Sequence, residues 1–339
     1  MRVAVDAMGG DAGPRPAVEG ALLAAQRYNI DVALVGKTRH LERLLAALKV
    51  RDSRLSIVEA TDVIQMTDTP RETLKRTQSS MAVATRLVKD GQADALVSAG
   101  NTGALLANTL FSWRTLPGIK KPAIAAFLPT SNSVAIVVDA GANVDCKAHQ
   151  LLQFAIMGSV YAREILKRDP PRIGLLSNGE EETKGNQVVM ETHKLLRATD
   201  LDFLGNIEGN TLFNGDVDVL VCDGFVGNVM LKTSEGLASM VFKAIKHEVK
   251  KSFVNMIGAV LMMSAAKRVK ARTDYDEYGG APLLGLNHVV IKAHGRSNKK
   301  AFMNAIRVAA ECHNLGLVRR LREELERVDR QVEHVEEAS

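Results

Sequence analysis

Five short loops rich in glycine, asparagine and aspartate carry the residues best suited to chemistry: DAMGGD (6–11), SAGNTG (98–103), DAGAN (139–143), SNGE (177–180) and DGFVGN (223–228). Glycine lets a backbone approach a ligand closely, asparagine offers a donor and an acceptor, and aspartate fixes loop geometry. A helix that starts after such a loop presents free N–H groups and a positive dipole end to an anion. Taken singly each loop is a tight turn; taken together they predict one crevice that binds phosphate or carboxylate, with the reaction left open. Within them, Gly10, Asp11, Asn101, Thr102, Asn143 and Asn228 are the candidate phosphate and oxyanion contacts.

Two cations extend this set. Lys184 follows Glu180, Glu181, Glu182 and Thr183 at a helix start, where the macrodipole favours anions. It stabilises charge on a bound phosphate, or it is a surface lysine paired with those glutamates. His294, in AHGRS (293–297), is a general acid or phosphate donor, or a plain loop histidine.

These loops need strands that end at them. Apolar runs predict strands at 3–6, 32–36, 55–58, 95–98, 173–177, 217–222 and 288–291, with helices at 16–28, 39–48, 80–89, 103–114 and 149–167. The alternation implies βαβ units and a largely parallel sheet covered on both faces, whose strand carboxyl ends share a crevice. Strands at 123–128 and 134–138, joined by the turn formers Pro129 to Ser133, imply a hairpin and so a mixed sheet. The expected organisation is one α/β catalytic domain over 1–318, in two intimate lobes if divided, with a charged, solvated tail at 319–339.

Composition sets limits. Hydrophobic residues are 46% and charged residues 24% of 339, as in a water-soluble core-forming chain. Aromatics are 4%, too few for a nucleic-acid stacking surface, and no nucleic-acid partner is expected. Cys146, Cys222 and Cys312 are far apart and read as buried thiols in a reducing cytoplasm. The opening MRVAVDAMGGD reads as strand and turn rather than signal peptide. No GxGxxG after the first strand, GxxxxGK[ST], GxSxG or HExxH is present, so dinucleotide, Walker, hydrolase and zinc-protease sites are unsupported.

The net charge of +5 is local. Residues 243–272 hold eight basic groups and one acid, which leaves −2 for the rest. Within it, residues 250–270 are expected to form one amphipathic helix with Phe253, Met256, Ile257, Val260 and Leu261 on one arc and Lys250, Lys251, Lys267, Arg268, Lys270 and Arg272 flanking it. Its 14-residue apolar stretch is too short to span a bilayer and suits a membrane surface or a dimer interface.

Read in order, DAMGGD, SAGNTGA, DAGAN, SNGEEETKGN, EGN (208–210), DGFVGN and AHG closely resemble the bacterial phosphate acyltransferase (PlsX) family, from Met1 to about Gly316, with only the charged tail outside the motifs. The resemblance implies a three-layer α/β/α fold with a mostly parallel mixed sheet, of the isocitrate dehydrogenase-like and phosphotransacetylase-like group, in a homodimer. It implies long-chain acyl-carrier protein and inorganic phosphate as substrates, no metal or organic cofactor, and an acyl phosphate product for a membrane glycerol-3-phosphate acyltransferase in phospholipid synthesis. The enzyme would be cytoplasmic and peripheral at the inner membrane face. Catalytic roles would fall to Lys184, Asn228 and His294, with Asn210 joining the phosphate contacts and Phe253, Ile257, Val260, Leu261, Lys267 and Arg268 meeting membrane or carrier protein. The other readings are a decarboxylating dehydrogenase of the same fold group and a non-catalytic membrane-surface scaffold.

Overall fold

A computed structural model describes residues 1–131, 133–273 and 275–337, without the side chains of 270–273, 275, 329 and 332–337. Eleven strands form one sheet: β1 (Arg2–Asp6), β2 (Asp31–Gly36), β3 (Leu55–Glu59), β4 (Ala95–Ser98), β5 (Ala123–Pro129), β6 (Val134–Val138), β7 (Ile173–Leu176), β8 (Phe203–Ile207), β9 (Val219–Val221), β10 (Ala281–Leu284) and β11 (Val289–Lys292). The helices are α1 (Arg15–Tyr28), α2 (Thr38–Ala47), α3 (Pro70–Thr73), α4 (Ser80–Lys89), α5 (Thr102–Trp113), α6 (Ala148–Tyr161), α7 (Gln187–Arg197), α8 (Gly224–Val249), α9 (Phe253–Leu261), α10 (Met263–Thr273), α11 (Lys299–Asn314) and α12 (Leu317–Glu337).

Both faces of the sheet are covered, as the near-continuous apolar strands require. Val3 and Val5 of β1 point into one core with α1 and α11, while Ala4 points into another with α4 and α5; β2 and β4 alternate in the same way. This is the expected three-layer α/β/α architecture.

The strand order is β3-β2-β1-β4-β11-β10-β5-β6-β9-β7-β8. β1, β2, β3, β4 and β11 run parallel, and so do β6, β9, β7 and β8. Between the two groups, β10 is antiparallel to β11 and β5, and β5 is antiparallel to β6. The groups therefore run in opposite senses, and a flat sheet would put their carboxyl ends on opposite edges. β10 joins the groups: Ala281 and Pro282 pair with β11, then Leu283 and Leu284 pair with β5. Loops from both groups line one cavity beside it.

Two expectations need correction. Residues 250–270 are not one helix. α8 runs on to Val249, extended Ser252 separates it from α9, and α9 ends at Met262 before α10. The corner is held by the Asn255 amide on the Glu248 carbonyl at 3.3 Å. The segment after 318 is not a solvated tail, because α12 packs on α6 and buries Leu321, Leu325 and Val328 in the main core. The sequence reading also passed over β8 and β10. In the β5–β6 hairpin, turn residue Asn132 lies outside the described residues, as do Ala338 and Ser339 and the side chains of Lys270 and Arg272.

Candidate active site

The cavity beside β10 has a volume of about 490 Å³ and a mixed lining. Lys292, His294, Lys232, Thr102, Asp11, Glu235 and Asn228 supply its polar groups, and Ile124, Ala126, Phe127, Leu231, Tyr278 and Ala281 its apolar ones. Phe127 and Tyr278 stack with centroids 4.9 Å apart, which stiffens the apolar wall.

Local sequence explains how the polar lining is built. The loop after β1 is fixed by Asp6, a buried carboxylate that accepts from Ser98 Oγ at 2.7 Å and Met8 N–H at 3.3 Å. Burial raises its pKa, against hydrogen bonds from Ser80 and Ser98. A Cβ on Gly9 would lie 2.5 Å from Asp6 Oδ2, so only glycine fits there. After β4, Asn101 caps α5 by accepting from Ala104 N–H at 3.0 Å, and α5 begins at Thr102 on the cavity wall. The first N–H groups of a helix have no intrahelical acceptor, so this end suits an anion.

Lys292 is the last residue of β11, and the sequence reading passed it over. Burial depresses its ammonium to about 8, partly offset by the carboxylates of Asp11 and Asp6. Its Nζ donates to the Ala293 carbonyl. The available signal was a lysine directly between an apolar strand and a glycine loop. His294 Nδ1 accepts from Arg296 N–H at 3.2 Å, so the neutral ring carries its proton on Nε2. Burial lowers its pKa, helped by the charges of Lys232 and Lys292, so the neutral form prevails at pH 7. Lys232 also pairs with Glu235 at 2.8 Å.

The loop after β6 is organised by Asp139. Its carboxylate is fully buried and accepts from the N–H groups of Ile124, Gly141, Ala142 and Asn143 at 2.7–3.2 Å. A Cβ on Gly224 would meet Asp139 Oδ2 at 2.6 Å, and one on Gly227 would meet its carbonyl at 2.0 Å. These two glycines seat the first turn of α8 against the loop, and that turn carries Asn228 into the cavity.

The structure thus brings together Asp11, Thr102, Asn228 and His294 from the expected set. Gly10 packs beside them, with Gly295 O 3.4 Å from the position of a Cβ. Other members lie elsewhere. Asn101 Nδ2 donates to the carbonyls of Met66 and Asp68, and Asn143 Nδ2 to Pro122 O and Asp139 Oδ2, so their amide hydrogens are committed to the scaffold. Asn210 follows Gly209, and Lys184 precedes Gly185 and Asn186; all three neighbours line a different cavity, beyond the first turn of α8. Lys184 is exposed, and among the described residues no ion pair joins it to a glutamate; Glu182 instead pairs with His193 and Arg197. Phe253, Ile257, Val260, Leu261, Lys267 and Arg268 lie far along the chain on α9 and α10. No residue of α9 is buried, and Leu261 is 78% and Phe253 72% exposed. No helix among the described residues is long and apolar enough to cross a membrane.

Comparison with known proteins agrees with this architecture. The chain is similar in fold to the EutD phosphotransacetylase of Staphylococcus aureus (16% identity, TM-score 0.60, 92% of this chain and 94% of that one) and to a phosphotransacetylase of Streptococcus pyogenes (17%, 0.61, 96% and 94%). A 4-hydroxythreonine-4-phosphate dehydrogenase of Klebsiella pneumoniae shares the same fold group (15%, 0.53, 92% and 99%). In sequence it is 50% identical to the phosphate acyltransferase of Pelotomaculum thermopropionicum over 97% of this chain and 96% of that protein. It is 49% identical to that of Geobacter sulfurreducens over 96% and 94%. A family model described as "Fatty acid synthesis protein" matches residues 1–320. The chain belongs to this family, the phosphate acyltransferases.

Proposed function

We propose that this acyltransferase moves a long-chain acyl group from the thioester of acyl-carrier protein onto inorganic phosphate, without a metal or organic cofactor, and that the acyl phosphate supplies a membrane glycerol-3-phosphate acyltransferase. The observation that carries the reading is one cavity lined by both cationic and apolar side chains. Lys292, His294, Lys232 and the first turn of α5 suit a phosphate, and the wall from Ile124 to Tyr278 suits the first carbons of an acyl chain. The names of the relatives favour the same chemistry.

A phosphate oxygen attacks the thioester carbonyl carbon, the C–S bond breaks, and the thiolate takes the proton that phosphate gives up. Phosphate is already anionic and a thiolate leaves readily, so the protein's task is positioning and oxyanion stabilisation. Lys292 offsets the phosphate charge, His294 Nε2–H donates to a phosphate oxygen, and the Asn228 amide donates to the oxyanion. Asn101 and Asn143 are positioning residues, and Asp11 holds the His294 loop. Lys184 and Asn210 act on the thioester side; Lys184→Ala should raise the KM for the thioester and leave that for phosphate unchanged. Release of free thiol from acyl-carrier protein thioester tests the reading: it should depend on phosphate and saturate with it, and phosphate-independent release would count against transfer.

The exposed helices complete the proposal. α8 and α9 present Leu237, Met240, Val241, Phe242, Ile245, Phe253, Ile257, Val260 and Leu261 to the outside. A face of this size is characteristic of an interaction surface. We assign the α8 side to the homodimer and the α9 tip, with Lys267 and Arg268, to the cytoplasmic membrane surface or carrier protein.

A further inference from the structure

A third cavity, about 750 Å³, opens at the start of α2 and is lined by Lys37, Arg39, His40, Arg43, Glu59 and Thr61. Lys37, Arg39, His40 and Arg43 are exposed, and among the described residues no ion pair joins any of them to a carboxylate. Glu59, the one acid on the lining, accepts from Thr38 N–H at 3.1 Å. Asp62, which feels the charge of Lys37, is held by Arg76 at 2.6–2.7 Å.

These cations sit where helix electrostatics oppose them. Lys37 is the N-cap, Arg39 and His40 lie in the first turn and Arg43 in the second, at the end of the helix whose dipole repels positive charge. Arg39 and Arg43 form an i, i+4 pair of like charges, which weakens a helix. No acid occupies the first turn, and the N-cap makes no side-chain hydrogen bond. Such an arrangement is a cost to the free protein and is expected where a partner supplies the negative charge. Four basic side chains spread over two turns, all exposed, fit a broad acidic surface better than one small anion.

The face has a fixed place relative to the active cavity. β2, β3 and β11 run parallel, so Gly36, Glu59 and Lys292 end on one edge of the sheet. Thr61 lines the α2 cavity and Met66 lines the cavity of Lys292 and His294. Five residues of extended chain span at most about 18 Å, which bounds the separation of the two. A partner resting on α2 therefore needs only a short tether to bring a group to Asn228.

We propose that the α2 face of Lys37, Arg39, His40 and Arg43 docks an acidic surface of the protein that bears the thioester. The assignment rests on the carrier-protein reading above, but its test is separate. Two acyl donors are compared on the full chain: acyl-carrier protein, and the same acyl group on pantetheine, which has the thioester without the protein. Arg39→Glu with Arg43→Glu should raise the KM for acyl-carrier protein about tenfold or more, as for like charges set against each other, and leave that for acyl-pantetheine unchanged. Added salt should raise the wild-type KM for acyl-carrier protein alone. Arg39→Glu by itself puts an acid in the first turn and an i, i+4 partner before Arg43, so it should melt no lower than wild type while still weakening the carrier. If the double variant does not fold, this single variant decides. Lys267→Glu with Arg268→Glu, on α10, should leave the carrier KM unchanged. An unchanged carrier KM in the Arg39/Arg43 pair, an equal rise with acyl-pantetheine, or a rise confined to the Lys267/Arg268 pair overturns the surface while leaving the transferase reading intact. Loss of anionic-liposome binding by the Arg39/Arg43 pair with the carrier KM unchanged makes α2 a membrane contact and also overturns it. Weakened binding of acyl-carrier protein by calorimetry, in a protein that makes no acyl phosphate from either donor, supports the surface and rejects the transferase reading.

Discussion

Asp11 and Gly295 lock together two loops that follow different strands. The Asp11 N–H donates to the Gly295 carbonyl at 2.8 Å, and a Cβ on Gly295 would lie 2.8 Å from Asp11 Oδ2. The Gly295 loop also carries His294 and follows Lys292, so any displacement of it moves cationic groups of the cavity. Gly295→Ala is expected to lower kcat/KM for phosphate about 10–100-fold, the scale of misplacing reacting groups by about 1 Å. Asp11→Ala in the same chain relieves the clash and should recover part of the loss. Steady-state kinetics on the two single variants and the double variant check this; additive losses would show that the contact does not set the loop.

The two asparagines separate scaffold from chemistry. Asn143→Ala leaves Asp139 with fewer donors and should cost about 1–3 kcal/mol of stability. Asn228→Ala should leave the melting temperature unchanged and lower turnover about 10²–10³-fold, as for losing one oxyanion donor. Calorimetry paired with turnover per folded molecule checks both. A destabilised but fully active Asn228→Ala would reverse the assignment.

Lys292 gives a pH signature. Burial depresses its ammonium to about 8, so the cation is present below that value and lost above it. The ratio of kcat/KM for phosphate in wild type to that in Lys292→Arg cancels the ionisation of phosphate itself. It should be flat below pH 8 and fall above it, because arginine stays charged. Stability runs the other way. Between about 8 and the ordinary lysine value the unfolded chain binds the proton that the folded chain has released, so stability rises with pH there. Lys292→Met should therefore melt higher than wild type at pH 7, with the gain shrinking toward pH 10. A lower melting point at pH 7 would mark the lysine as a stabilising group.

The α9 tip is tested with vesicles. Leu261→Glu, and Lys267→Glu with Arg268→Glu, should each reduce co-sedimentation with anionic liposomes while solution activity and dimer mass persist. Each basic group near an anionic leaflet contributes about 1 kcal/mol, so the charge pair should lower the partition coefficient by roughly tenfold or more. A monomer produced by Leu261→Glu would place α9 in the dimer interface instead.

Much of the fold was legible because its strands are apolar runs closed by glycine loops, as at Val3–Asp6 and Ala95–Ser98. What escaped notice had weak local signals. β10 contains Pro282 and follows Gly279 and Gly280, and β8 contains Gly205 at φ 117°, so neither reads as a strand. For Asn101 and Asn143, type and spacing cannot show which carbonyl an amide meets; the fold alone commits both to the scaffold. Lys184 and Lys292 both sit beside glycine loops; Lys292 ends β11 just before His294 and lines the same cavity, while Lys184 lies in the loop after β7, whose Gly185 and Asn186 line a different cavity. α12 looked solvated because Leu321, Leu325 and Val328 are a narrow stripe among charges, enough to bury one face against α6.

The central claim is transfer of an acyl group to phosphate in the cavity shared by Lys292, His294 and Asn228. The direct measurement is hydroxylamine trapping of the product from acyl-carrier protein thioester and phosphate, read as acyl hydroxamate. The account predicts hydroxamate in proportion to thioester consumed, dependent on phosphate and reduced about 10²–10³-fold in Lys292→Met with the fold intact. Thioester consumption without phosphate-dependent hydroxamate, or full yield from folded Lys292→Met, would contradict it.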